Sequence, residues 1–341
     1  MTGIGVVGLG AVSGEHLRGY AEVEGVDVVA VCDTKPGTLA KAPAEASRFA
    51  DWRELLEAPG IDAVAILLPH RLHHPVAAAA LDAGKHVCVE KPLALSSEEC
   101  SELVGRAERA GVTLAVAENA RFVAAYEEAA RLVESLGRIR LARTFVHGSA
   151  VANYRREDAG WRIESGGIGA IIDAAVHSFY LLRWLLGSVD SVQATSRHWV
   201  RDNLLESIEV EDGALVSGAL AGGGDFSCEV SLAAELPWGE RLELHGEQGS
   251  LIVDQLAPAP VRIYRGGEDL LGEAVSSVPA DPAGWQAASI RATARDFAEA
   301  VRDGRAPGVS TADAAYAVEL VECAYRSAAA GGTAVRPARA A

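Results

Sequence analysis

The apolar run Val87-Cys88-Val89 ends in a carboxylate, an amine and a proline, Glu90-Lys91-Pro92. The run reads as a buried strand, so the lysine stands where the strand leaves its sheet. Open α/β sheets bind their ligands at that carboxyl edge. Alone, such a triplet is more often a solvated Glu–Lys pair ahead of a loop. A second set is Asp173 and His177. Four residues apart on a predicted helix, they share one face. A carboxylate beside an imidazole raises its pKa and orients the ring, which suits a general base near neutral pH. An isolated pair at this spacing is also more often a surface feature. The third set is Gly8-Leu9-Gly10-Ala11-Val12-Ser13, between a short apolar strand over 4–7 and a predicted helix over 15–23. Its first glycine suits a tight turn, and its second lets backbone approach a pyrophosphate. The helix start supplies N–H groups and a positive dipole end. Serine stands where glycine or alanine is usual and is small enough to keep the helix near the sheet.

The surrounding elements decide between these readings. A β-rich stretch over 26–32 ends in Asp33, about 20 residues past the glycine loop, where an acid meets the adenosine ribose hydroxyls. A carboxylate there repels a 2′-phosphate and favours NAD over NADP; Lys35 could moderate this. Predicted helices over 53–58, 75–83 and 96–110 alternate with apolar strands over 61–68 and 112–117 and with the strand that ends in Glu90-Lys91-Pro92. Continuous apolar strands are what a parallel sheet buried on both faces requires. Ser96 with Glu99 reads as a capping box. Residues 1–118 are therefore expected to form an α/β, doubly wound parallel sheet that binds a dinucleotide. Residues 119–341 have another rhythm. Helices are predicted over 126–136, 173–186, 287–302 and 311–329. Strands are predicted over 141–151, 207–210, 214–220, 227–233, 241–245 and 250–253. Short connections between successive strands imply an α+β domain with a large open, mainly antiparallel sheet.

Composition narrows the partners. The chain has 341 residues, 49% of them hydrophobic and 23% charged, a globular profile. A net charge of −16 argues against nucleic acid and against an anionic membrane surface. Five scattered cysteines imply reduced thiols in the cytoplasm and no disulfide framework. No Cys/His set has zinc spacing, and His70, His73 and His74 lack an acidic or sulfur neighbour, so no metal is expected. The N-terminus lacks a basic region and an unbroken apolar run, so no signal peptide is expected.

Together these segments resemble the Gfo/Idh/MocA family of oxidoreductases. The resemblance is carried by Gly8-x-Gly10, Asp33, LHHPVAAAALDAGKHVCVEKPLALS from Leu72, AENARF from Ala117 and GRI from Gly137. It continues through GGIGAIIDAAVHSFYLLRWLLG from Gly166, ERLELHGEQGSLIV from Glu240 and VSTADAAYAVELVECAYRSAAAG from Val309. It implies a Rossmann domain followed by a substrate-binding domain whose sheet often mediates oligomers, so a homodimer or homotetramer. It implies an NAD-dependent dehydrogenase acting on a secondary alcohol of a sugar, inositol or related polyol. Carried over by motif, Lys91 stands beside nicotinamide and substrate, Asp173 and His177 are the catalytic pair, and Glu90 shapes the cofactor pocket. Lys91 and His177 would be the acid–base groups. In relatives the bond before the proline is cis, which the base rate alone would not suggest. Leu68, Pro69 and His73 follow one strand end and are expected near the dinucleotide. Asn119 and Arg121 follow another, the first expected at the cofactor and the second at the substrate. Trp161 and Arg162 precede the glycine turn, where an arginine could grip a carboxylate or hydroxyls. Tyr180 replaces a frequent aspartate, Ala175 a frequent glycine, and Ile168 interrupts three glycines, so the substrate side departs from the common pattern. Two alternatives are transient oxidation serving elimination or glycosidic cleavage, and a non-catalytic NAD-binding regulator.

Overall fold

The computed structural model describes residues 1–149, 169–199, 210–265, 273–275 and 278–338. They divide into two compact units. The first holds Met1–Phe122 with Gln286–Val318, the second Val123–Trp285 with Glu319–Ala341.

The first unit is built on six parallel strands: β1 (Thr2–Val7), β2 (Val26–Cys32), β3 (Ser47–Phe49), β4 (Ala63–Ile66), β5 (His86–Glu90) and β6 (Leu114–Ala117). Their spatial order is β3-β2-β1-β4-β5-β6, the doubly wound order expected from the alternation. Chain direction reverses its winding between β1 and β4, which opens a crevice at their carboxyl ends. Every residue of β4 and β6 is buried, as their unbroken apolar sequence requires. The connecting helices are α1 (Ser13–Ala21), α2 (Trp52–Glu57), α3 (His73–Asp82) and α4 (Ser97–Ala110). Helix α4 starts where the sequence places it: Ser96 Oγ accepts from the Glu99 N–H at 3.1 Å, and Glu99 accepts from the Leu95 N–H at 3.0 Å. It stops at Gly111, whose φ of 68° is left-handed.

Helix α7 (Trp285–Asp303; α5, Ala124–Leu132, and α6, Val176–Leu186, belong to the second unit) returns to this first unit from far along the chain. Phe297, Ala294 and Ala298 join the core formed by Ile4, Val6, Leu9 and Tyr20. Gly19 on α1 permits the approach, because a Cβ there would lie 2.4 Å from the Arg291 carbonyl oxygen. Burying Phe297 contributes about 1.5–3 kcal/mol. Glu15 of α1 and Glu22 just after it pair with Arg291 and Arg295 at 3.1 and 3.2 Å, a smaller, solvent-screened addition.

The second unit carries an eight-stranded sheet of β7 (Ile139–His147), β8 (Val189–Arg197), β9 (Gly213–Leu220), β10 (Asp225–Ser231), β11 (Gly239–Gly246), β12 (Gly249–Asp254), β13 (Val261–Arg265) and β14 (Glu273–Val275). The order is β14-β13-β12-β11-β7-β10-β9-β8. Among the described residues of this sheet only β7 and β10 pair in parallel, so it is mainly antiparallel, as expected. Burial alternates along β10, from exposed Asp225 and buried Phe226 to exposed Glu229 and buried Val230, which leaves one face open. Helix α5 (Ala124–Leu132) precedes the sheet, and α6 (Val176–Leu186) packs on β7. The sequence predicts one α-helix over 173–186. Instead, Ile171–Ala175 form a π-helical turn that runs into α6. The predicted strand over 207–210 lies partly outside the described residues. Helix α8 (Thr311–Ala329) follows, and Val335 beyond it bridges Val192 of β8. No helix among the described residues is long and apolar enough to cross a membrane.

Candidate active site

The first unit gathers its candidate residues at the carboxyl edge of the parallel sheet. Gly8 ends β1 with a φ of 98°, and its N–H donates to the Cys32 carbonyl at 2.8 Å. A Cβ at Gly8 would lie 2.3 Å from the Leu67 carbonyl oxygen, so the turn itself demands glycine. Gly10 differs. Its backbone is not left-handed, and a Cβ there would meet nothing within 4 Å. The fold does not need this glycine, whereas a phosphate approaching the backbone would. Ser13 is fully buried and donates its hydroxyl to the Gly10 carbonyl at 2.8 Å, fastening the loop that also contains Ala11 and Val12 to the start of α1. No side chain caps α1. The helix start thus keeps its dipole end for an anion.

Asp33, at the end of β2, accepts the Leu9 N–H on one oxygen and the Lys35 N–H on the other, each at 2.8 Å. A carboxylate accepts about four hydrogen bonds, so two positions remain for hydroxyl donors. Glycine loop, helix start and Asp33 therefore fit a dinucleotide with a free ribose diol.

Glu90 ends β5, and Lys91 and Pro92 follow through a cis peptide bond. Glu90 Oε1 lies 3.0 Å from His16 Nε2, and Glu90 Oε2 accepts the Lys91 N–H at 3.2 Å. Burial opposes the Glu90 charge. The His16 hydrogen bond and the positive groups around it outweigh burial and hold the carboxyl below its ordinary range. His16 escapes sequence reasoning because nothing near it in the chain hints at a partner.

His73, expected near the dinucleotide, is fully buried. Its Nδ1 lies 2.7 Å from the Pro92 carbonyl oxygen and its Nε2 2.8 Å from that of Leu68. Burial pushes its pKa down, and the two carbonyls offset this in part. The ring lies between the loops after β4 and β5 and braces them: when neutral it donates to one of the two carbonyls, and only as imidazolium to both. Pro69 and Leu68 hold the loop that His73 ties down. Asn119 and Arg121 follow β6 on a 3₁₀ turn over Asn119–Phe122. The Asn119 amide donates to Ser289 Oγ on α7 at 2.8 Å, and the Arg121 guanidinium lies over the Phe122 ring at 5.7 Å.

In the second unit, Asp173 and His177 lie on the π turn and the first turn of α6, 7% and 5% exposed. Single π turns within helices recur at functional sites. Glu211, also buried, anchors this segment. It accepts the Ile171 N–H at 3.0 Å and the Tyr325 hydroxyl at 2.8 Å. Burial first, then the Glu211 charge, drives the Tyr325 pKa upward, so the phenol stays a donor. Tyr180 is 1% exposed and stacks on Trp184 with ring centroids 6.3 Å apart. Tyr180 thus packs within the buried face of α6, beside the turn that carries His177. Trp161, Arg162 and glycines 166 and 167 lie outside the described residues, as does Ile168.

Comparison with known proteins gives the same outline. Residues 2–118 match the model of an oxidoreductase family, NAD-binding Rossmann fold, and residues 131–335 that of an oxidoreductase family, C-terminal alpha/beta domain. Both are models of the Gfo/Idh/MocA oxidoreductases. The levoglucosan dehydrogenase of Pseudarthrobacter phenanthrenivorans is 29% identical over 315 residues, covering 80% of this chain and 79% of that one. Inositol 2-dehydrogenase 1 of Saccharopolyspora erythraea is 28% identical over 332 residues, covering 95% and 93%. A solved levoglucosan dehydrogenase in complex with NADH and levoglucosan superposes with a TM-score of 0.87. It is 24% identical over 99% of this chain and 100% of that one, a likeness of fold.

Proposed function

The chain belongs to the Gfo/Idh/MocA oxidoreductase family, and from that premise we propose that it oxidises a secondary alcohol of a sugar, inositol or related polyol, or reduces the matching ketone. The supporting observation is the meeting, at one sheet edge, of the glycine loop, Asp33 and the turn carrying Lys91. NAD would be held by Gly8, Gly10, Ala11, Val12, Ser13 and Asp33, with Leu68, Pro69, Glu90 and Asn119 bordering it. When bound, NAD supplies the hydride acceptor.

The chain's own residues manage the proton and the charge. His177 takes the hydroxyl proton as general base. Lys91, as ammonium, donates a hydrogen bond to a substrate oxygen and stabilises negative charge that grows there. Asp173 orients substrate or imidazole. Preorganised donors of this kind cost no rearrangement at the moment of reaction.

The test is a panel of sugars and polyols, with levoglucosan and the inositols included because relatives are named for them. Absorbance of reduced nicotinamide is followed with NAD and with NADP. On the best substrate, Lys91→Ala lowers kcat by at least about 100-fold. Wild-type turnover in that variant would remove Lys91 from the mechanism.

The same reading includes a homo-oligomer through the open sheet face, supported by Leu141 and Leu215, 37% and 52% exposed. A homo-oligomer closing over this face would cover them. Light scattering of Leu215→Glu against the unaltered chain tests this, with a lower mass expected for the variant.

A further inference from the structure

A buried chain of hydrogen bonds, unused by the chemistry above, runs from α1 to the turn that carries Lys91. Tyr20 and His16 lie one turn apart on α1 and expose no surface. The Tyr20 hydroxyl is 3.3 Å from His16 Nδ1, and His16 Nε2 is 3.0 Å from Glu90 Oε1. The other Glu90 oxygen takes the Lys91 N–H. One proton arrangement satisfies every atom. A carboxylate only accepts, so His16 carries its proton on Nε2. Its bare Nδ1 then accepts from the tyrosine hydroxyl.

We propose that His16, backed by Tyr20, is a positioning residue that fixes the Glu90 carboxylate and, through it, the turn carrying Lys91. This rests on the reading of Lys91 as a group that touches substrate. Two observations separate this role from plain packing. First, Glu90 keeps its negative charge although its side chain is only 15% exposed. A pair of apolar residues would fill such a place at no cost in desolvation, so the hydrogen bond from a neutral imidazole to the buried carboxylate serves orientation. Second, His16 sits one turn beyond Ser13, which is itself tied to Gly10. The helix that begins at the glycine loop therefore also holds the lysine turn. The far side of that turn is held by His73 on the Pro92 carbonyl, so its freedom depends on two buried imidazoles.

Hydrogen exchange read by mass spectrometry on the whole chain tests the idea at the Lys91 amide. His16→Ala frees Glu90 and speeds exchange there by about tenfold through easier local opening. His16→Gln, whose amide N–H can reach the same oxygen, restores most of the protection. Tyr20→Phe gives a smaller rise. Should His16→Ala not fold, the rise in Tyr20→Phe and the protection in His16→Gln remain required. Unchanged exchange at Lys91 in the alanine or phenylalanine variant, or failure of glutamine to protect, overturns the proposal. None of these measurements needs a substrate. Their failure is thus distinct from loss of the dehydrogenase reading, which turnover of Lys91→Ala decides.

Discussion

Gly10→Ala separates what the fold asks of the glycine loop from what a dinucleotide asks. At Gly8 the backbone is left-handed, with φ of 98°, and a Cβ would sit 2.3 Å from the Leu67 carbonyl oxygen. Alanine there costs about 1–2 kcal/mol for the backbone and about 1–3 kcal/mol for the overlap. Gly8→Ala therefore loses about 2–5 kcal/mol of stability. At Gly10 a Cβ meets nothing within 4 Å. Alanine fits there, and the loss of unfolded-chain freedom stabilises by about 0.4–1 kcal/mol. A methyl group in the open space nevertheless stands where a pyrophosphate would approach. Gly10→Ala should bind NADH at least about tenfold more weakly, about 1.4 kcal/mol. Urea unfolding of both variants and a fluorescence titration with NADH provide the two numbers. Wild-type NADH affinity in Gly10→Ala would refute the reasoning, as would an unfolding midpoint as low as that of Gly8→Ala.

Asp33→Ala should raise affinity for NADP relative to NAD by removing the repulsion of a 2′-phosphate; an unchanged ratio of dissociation constants would take Asp33 off the ribose. His73 has its pKa lowered from 6.5 by burial. The unfolded chain therefore binds a proton that the folded chain refuses. Stability contributed by the neutral ring is present above pH 6.5 and drains away as pH falls through the folded value. Urea midpoints of the wild type should thus drop on acidification below that pH, and His73→Gln should flatten the slope. All five cysteines are buried thiols outside any disulfide, and burial pushes Cys32 up to about 11. A thiol reagent at pH near 8 should label the native chain slowly and the unfolded chain at all five positions. Ser96→Ala should cost about 1 kcal/mol, read as a lower melting temperature, through loss of the α4 cap.

Much of the first unit is written locally in the chain. Continuous apolar runs mark strands buried on both faces. Ser96 and Gly111 mark the ends of α4, and the glycine loop with Asp33 marks the carboxyl edge of β1 and β2. Strand β3 gives no such signal, because Ser47 and Arg48 are exposed and only three residues pair. The helix predicted over 287–302 shows its amphipathic stripe but not what the stripe covers. Only the close approach allowed by Gly19 joins it to residues far earlier in the chain. The π turn at Ile171–Ala175 is likewise unreadable, since its residues are ordinary helix formers and the Glu211 anchor lies 40 positions away.

The site divides in the same manner. The types and spacing of Glu90, Lys91, Asp173 and His177 point to the proposed chemistry only together with the glycine loop, Asp33 and the family resemblance. That His73 braces two loops, that Tyr180 is packed away and that His16 grips Glu90 are facts of the tertiary structure. His16 and Glu90 stand 74 residues apart. Hydrophobic period and turn chemistry are short-range properties and can be read within a dozen residues. A partner across the sheet is chosen by strand order, which only the assembled core decides.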